Sequence, residues 1–494
     1  MKNLKCFAVA LVWCASAVGQ SNPVVIDAHA SATPFPHFWE RMFGSGRAVL
    51  ALRESYRDDL REVKKATGAE YVRFHNVLHD EVGVYDEDEQ GKPIYNFTYI
   101  DQIYDGLLRI GVRPVVEISF TPKKLASDPN ALHPFWYKQN VSPPKDYAKW
   151  DDLIRHFAQH LVDRYGLGEV SQWYFEVWNE PNIDFWAGNP KQTTYFELYD
   201  HTARSLKSVS PLLRVGGPAT AAADWADAFL AYCAQNNVPV DFVSSHGYAD
   251  DTVENLFHTQ EQIPMNQRVC RAIGKVRGQI KASKFPNLPL FWTEWNVRGD
   301  HEVRDTTYVA PALAYSIAQC DGLVEMMSYW TFDDVFEEGG VPHDPFHGGF
   351  GLIAVGGIKK PSYFGYSLLH KLGTERLSNP APNVLVTRRA DGTLVVAVWN
   401  LVEPEEKGAP KAMQLQFQNV NPQSTVLISR ADETHGNTLA AYRKLGNPQY
   451  PTIAQVEQIN REGELPPPEA VALKNGTVEI TVPVNGIAIL ELVN

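Results

Sequence analysis

Eight short strand-forming runs, each followed by a helical stretch, fill the sequence between about residues 40 and 375. The runs are 42–45, 71–76, 114–120, 173–178, 214–218, 242–246, 290–295 and 323–330. Most are apolar from end to end, as strands buried on both faces must be. The clearest helix is 147–165, where Trp150, Leu153, Ile154, Phe157, Leu161 and Tyr165 recur at three- and four-residue steps. Gly166 follows as its stop signal. Segments 53–66, 194–209 and 265–281 have the same pattern. Strands alternating with helices over this length predict an α/β fold, a (β/α)8 TIM barrel spanning 40–376.

The texture changes after Leu377. Short strand patterns at 384–387, 394–399, 413–417, 425–429, 477–483 and 487–493 are punctuated by Asp391-Gly392, Asn475-Gly476 and Asn485-Gly486. This predicts a C-terminal all-β sandwich accessory domain over 377–494, with a strand near 22–29 in the segment 20–39 joining it. Five prolines within 446–469 predict a long surface loop.

The first nineteen residues read as a secretory signal peptide. Lys2 and Lys5 precede an apolar run over 6–18, and small residues follow at 15–19. A periplasmic or secreted protein is the expectation. Cys6 and Cys14 would leave with the signal, so Cys233, Cys270 and Cys320 remain. At most one bridge is possible, and all three read best as small buried hydrophobes. A net charge of −13 argues against nucleic acid or an anionic membrane surface as partner. Twelve Trp and 21 Tyr suit a barrel core, and also aromatic platforms on which sugar rings stack.

Chemistry in such a barrel gathers at the C-terminal strand ends. The fourth run leads through Trp178-Asn179 to Glu180, and the seventh ends at Glu294-Trp295-Asn296. Two carboxylates facing each other in an aromatic cleft are what acetal hydrolysis needs. One protonates the leaving oxygen, and the other attacks the anomeric carbon or activates water. Glu176 and Glu117 lie inside their strands, where a structural role, such as pairing with Arg73, is the expectation.

Trp178-Asn179-Glu180-Pro181-Asn182 is similar to the acid/base motif of clan A glycoside hydrolases. Residues 71–99, 135–138, 143–147, 173–182, 215–219, 291–296, 328–338 and 345–352 resemble glycoside hydrolase family 39, in particular its bacterial β-xylosidase branch. The resemblance implies a retaining glycosidase with Glu180 as general acid/base and Glu294 as nucleophile. The charge of Glu294 is expected to raise the pKa of Glu180. The resemblance also implies that Asn179 binds a sugar 2-hydroxyl, that His246 and Tyr248 form a sixth-strand pair with the Tyr orienting Glu294, and that His75 contacts sugar hydroxyls. Phe120, Trp136 and Trp330 are candidate walls, and at least one of Glu337 and Glu338 is expected to bind hydroxyls.

The expected substrate is an oligosaccharide with terminal β-D-xylosyl residues. The acidic 333–338 stretch disfavours a uronate, although Arg298 and Arg304 follow the nucleophile. Segment 297–305 departs from the loop expected of the β-xylosidases, which leaves arabinopyranosides, exopolysaccharides and α-L-iduronides as alternatives. A non-catalytic carbohydrate-binding barrel is a remote alternative. No HExxH or nucleotide-binding loop occurs, so no metal or cofactor is expected.

Overall fold

The computed structural model describes residues 23–493, and the segment read as an export signal lies outside them. Eight parallel strands close into a barrel: Met42–Arg47, Tyr71–His75, Arg113–Ile118, Tyr174–Val177, Arg214–Thr220, Phe242–His246, Leu290–Trp295 and Met326–Tyr329. Each coincides with an expected run, to within a few residues at its ends. The barrel interior is layered by the two-residue period of its strands. Met42, Tyr71, Val115, Phe242, Phe291 and Met326 pack together near the strand starts. One step higher, Gly44, Arg73, Glu117, Glu176, Ser244, Thr293 and Ser328 form a largely polar layer. The six polar side chains in it have no solvent exposure. One step higher again, His75, His246 and Trp330 rim the cleft. Gly44 is required here, because a Cβ at that position would lie 2.2 Å from the Trp330 ring.

Most of the remaining described strands build two larger sheets, and Tyr85–Glu87 with Pro93–Tyr95 and Ile353–Ala354 with Ile358–Lys359 form two small hairpins. A seven-stranded sheet runs in the order Ala32–Pro34, Glu375–Leu377, Val384–Arg388, Leu394–Asn400, Gly486–Val493, Thr425–Ala431, Glu469–Ala472. A three-stranded sheet contains Val24–Asp27, Lys411–Gln418 and Thr477–Val482. Leu394–Asn400 is buried along its whole length because both its faces are covered. Val396 and Val398 face the small sheet with Leu415, Ile480 and Ile26. Val395, Ala397 and Trp399 belong to the barrel's own core. The β unit therefore shares a hydrophobic interior with the barrel.

Two expectations are corrected. The 446–469 stretch is not a plain loop: it carries the helix Ile453–Gly463, opened by a Thr452/Gln455 capping box. All five prolines fall outside that helix, so they bound it and do not forbid it. Ile459 is fully buried against Ala354, Ile358 and Leu439.

The cysteines are corrected too. Cys270 and Cys320 form a disulfide, while Cys233 is a buried thiol. The bridge joins helix Met265–Ala282 to helix Val309–Cys320, two neighbours that sequence spacing does not reveal. Replacing both Cys270 and Cys320 by Ala should lower stability by about 2–4 kcal/mol, read as a shift in the urea midpoint. An unmoved midpoint would show that the bridge contributes nothing to the fold.

Candidate active site

The site is built upward from Arg73. Its guanidinium has no solvent exposure. It donates Nε to Glu176, Nη1 to Glu294 Oε1 at 2.7 Å and Nη2 to Asn179 Oδ1 at 2.9 Å. Nη2 also meets Glu117 Oε2 at 2.7 Å. Burial opposes its charge, but the three carboxylates outweigh that and raise its pKa, so it stays cationic. A fork of fixed planar geometry suits such a hub, because its donors reach the third, fourth and seventh strands at once. Glu176 and Glu117 are thus structural partners of Arg73, as expected. The importance of Arg73 itself was not anticipated beyond that pairing. Its signal was present: it stands two residues before His75 and so faces the same way.

Glu294 is held from two sides. Arg73 takes Oε1, and the Tyr248 hydroxyl donates to Oε2 at 2.7 Å. Burial and the facing carboxylates raise the Tyr248 pKa, so the phenol keeps its proton. Glu180 lies just past the end of the fourth strand. Trp178 and Glu180 adopt positive φ values of 73° and 44°, sparsely populated for residues with a Cβ. The Glu180 N–H is anchored on Ala219 O at 2.9 Å. This turn brings the Glu180 carboxyl over the barrel mouth, 2.9 Å from His246 Nδ1. Glu180, Glu294 and His246 each present an atom within 4.8 Å of the others.

Burial lifts the Glu180 carboxyl to about 7; His75 and Arg73 pull it down, and Glu117 adds to the lift. The sequence-based attribution to Glu294 is corrected: removal from water is the main cause. His246 is pushed down to about 4 by burial, so it is neutral near pH 7. His75 shows the opposite balance. Burial works against its charge, but Glu117, 2.7 Å from Nδ1, raises its pKa.

The other expected residues divide. Asn179 gives its oxygen to Arg73, which leaves its amide nitrogen to donate to a ligand. Trp330 is packed beside His75, ring centroids 4.9 Å apart. Trp136 is 55% exposed, and Arg47 lies over its ring. Phe120 has no exposure; it sits in an aromatic layer with Trp178 and Phe185, beneath any surface a sugar can touch. Glu337 is held by Arg47 and Arg53. Glu338 is the member of the pair that faces the site, 3.8 Å from His75 Nε2. Burial lifts Glu338 to about 8, with Glu294 and Glu180 adding and His75 opposing.

The arrangement contains a carboxyl that keeps its proton to a higher pH than an ordinary glutamate and a second carboxyl fixed by two donors, both opening on one cleft. Such a pair can protonate a leaving oxygen and attack a carbon.

Comparison with known proteins agrees with this chemistry. Residues 22–477 match the sequence family described as glycosyl hydrolases family 39. A β-xylosidase from Geobacillus stearothermophilus is 41% identical over 441 residues, covering 86% of each chain. A β-xylosidase from Caldicellulosiruptor saccharolyticus is 35% identical over 440 residues, covering 87% of this chain and 88% of that one. The crystal structure of a monomeric β-xylosidase from Caulobacter crescentus superposes with a TM-score of 0.86 at 34% identity, covering 95% of this chain and 99% of that one. With a closed eight-stranded barrel and a family match across most of its length, this chain belongs to glycosyl hydrolase family 39 and is a glycosidase.

Proposed function

We propose that the enzyme removes β-D-xylosyl residues from the ends of xylo-oligosaccharides by double displacement, with net retention of anomeric configuration. The observation that carries the mechanism is the 4.8 Å limit on the separation of the Glu180 and Glu294 oxygens. Retaining pairs stand about 5–5.5 Å apart, whereas inverting pairs need about 6.5–9.5 Å to admit water. In the first step Glu294 attacks the anomeric carbon while Glu180 gives its proton to the departing oxygen. In the second, water attacks the glycosyl-enzyme and Glu180 takes the proton back.

The named relatives support xylose as the sugar. The charge of the cleft supports a neutral sugar over a uronate. Arg298 is committed to Asp300, Glu403 and Glu405, and Arg304 donates to the carbonyls of Arg298, Gly299 and Gly348. Neither is left to receive a substrate carboxylate. Export to an oxidising compartment is part of the same proposal, and the Cys270–Cys320 disulfide supports it.

Proton NMR of early hydrolysis of an aryl β-D-xylopyranoside tests this directly. β-Xylose should appear first; α-xylose appearing first would overturn double displacement. No turnover, with cleavage of an arabinopyranoside or an iduronide instead, would overturn the sugar assignment. Glu180→Ala should slow deglycosylation on the order of 10²–10⁴-fold. Azide should restore rate to this variant and give a β-glycosyl azide. Absence of rescue would remove Glu180 from the acid/base role.

A further inference from the structure

The proton on Glu180 needs a reason to be there before substrate arrives. We propose that Thr293 and Glu176 act as positioning residues that fix the tautomer of His246, and that this tautomer holds the acid proton on Glu180. The proposal rests on Glu180 being the general acid/base.

Thr293 has one hydroxyl hydrogen, and its Oγ1 lies 2.8 Å from Glu176 Oε1. Glu176 presents its other oxygen to Arg73 Nε. A carboxylate facing a guanidinium accepts, so the Thr293 hydroxyl donates to it. The same Oγ1 lies 3.1 Å from His246 Nε2. With its hydrogen already committed, Thr293 can only accept there, so His246 carries its hydrogen on Nε2. A neutral imidazole has a single N–H. Its Nδ1 is therefore a bare lone pair, 2.9 Å from Glu180 Oε1. Two acceptors do not bond, so Glu180 Oε1 must carry the hydrogen. The chain runs Glu180 to His246 to Thr293 to Glu176, with every donor pointing towards Arg73. Burial of His246, which pushes its pKa to about 4, keeps the imidazole neutral and the polarity of the chain fixed.

The opposite tautomer would be adverse. A hydrogen on Nδ1 would donate to Glu180 Oε1 and favour the carboxylate, so that the acid would lose its proton at a lower pH. Of the charged groups around His246 other than Glu180, Glu294 lies nearest Nδ1 and favours a hydrogen there, so the acceptor on Thr293 has to outweigh it. Arg73 comes from the second strand, Glu117 from the third, Glu176 and Glu180 from the fourth, and Glu294 from the seventh, 3.6 Å from Nδ1. The acceptor on Thr293 makes the choice.

The chain also serves the second step. Once Glu180 has passed its proton to the leaving oxygen, its carboxylate faces the Nδ1 lone pair with no hydrogen between them. Taking a proton from the attacking water relieves that contact and returns the site to its starting state. No proton is consumed over the cycle.

Thr293→Val keeps the shape but removes the acceptor, and Thr293→Ser keeps the acceptor. The alkaline limb of kcat/KM against pH should move about one unit towards acid in Thr293→Val, the size expected of one charge-assisted hydrogen bond to Glu180. It should stay at the wild-type position in Thr293→Ser. A Val variant with the wild-type limb, or a Ser variant shifted as far as Val, would overturn the proposal. Nitrogen-15 NMR of histidine-labelled wild-type enzyme gives a readout that needs no Thr293 variant, with the His246 signals assigned by their loss in His246→Gln. Protonated Nε2 and bare Nδ1 are expected, and protonated Nδ1 would overturn the relay. Azide rescue of Glu180→Ala tests the acid/base assignment separately. Rescue together with an Nδ1–H tautomer would reject the relay and leave Glu180 in its role.

Discussion

Glu294→Ala should lower kcat on an aryl β-D-xyloside by on the order of 10⁴–10⁶-fold, the scale seen when the covalent nucleophile of an enzyme is removed. The carboxylate is 2.7 Å from both Arg73 Nη1 and the Tyr248 hydroxyl, so no neighbour is built to take its place. Azide entering the vacated space should give the α-glycosyl azide, opposite in configuration to the product from Glu180→Ala. That pair of opposite products is a stronger test than either rate, because a general loss of structure yields neither. Stability should be little changed, since Arg73 keeps Glu117 and Glu176. Turnover within tenfold of wild type would sink the nucleophile assignment.

Arg73→Met should have the largest effect on the fold. It removes the cation from a layer where Glu117 and Glu176 have no solvent exposure. Breaking a buried ion pair by deleting one partner costs about 3–5 kcal/mol, and here one cation serves three carboxylates. The pH dependence has a defined sign. Burial tends to raise the Glu117 pKa, but Arg73 and His75 pull it below its ordinary value in the wild type. Its contribution to stability is therefore present above the unfolded carboxyl pKa and is lost as pH falls through the lower folded value. Without Arg73 burial dominates, and Glu117 destabilises the fold as pH rises. The stability gap between Arg73→Met and wild type should thus be wider at pH 8 than at pH 5, read from urea midpoints. Equal midpoints at pH 8 would show that the polar layer does not depend on its cation. Arg73→Lys should restore only part of the loss, because a point charge cannot fork to three strands.

The contrast between these two sites reflects what a sequence can display. Glu180 and Glu294 were legible because a barrel places its chemistry at strand ends, and the strand ends could be read from apolar runs. His246, Tyr248 and His75 stand at strand ends too, but their expected roles came from the family resemblance. The places of Phe120 and Glu337 were not legible, because whether a strand-end side chain faces the cleft depends on partners far away in sequence. Phe185 covers Phe120, and Arg47 and Arg53 hold Glu337. The lift on Glu180 was legible in direction but assigned to the wrong cause, since burial is not visible in a linear motif. Thr293 carried no signal at all. A threonine inside an apolar strand reads as strand-forming, and its role arises only where His246 and Glu176 converge on it. The 453–463 helix was hidden by prolines that mark its boundaries.

The pairing of Val24–Asp27 with Lys411–Gln418 sets an order of events during synthesis. Val24–Asp27 has no partner until the entire barrel and several later strands have been made. It stays an open edge for nearly the whole of translation, and open edges recruit foreign strands. The small sheet thus gains its Val24–Asp27 strand only after residue 418 has been made, with four further strands still to come.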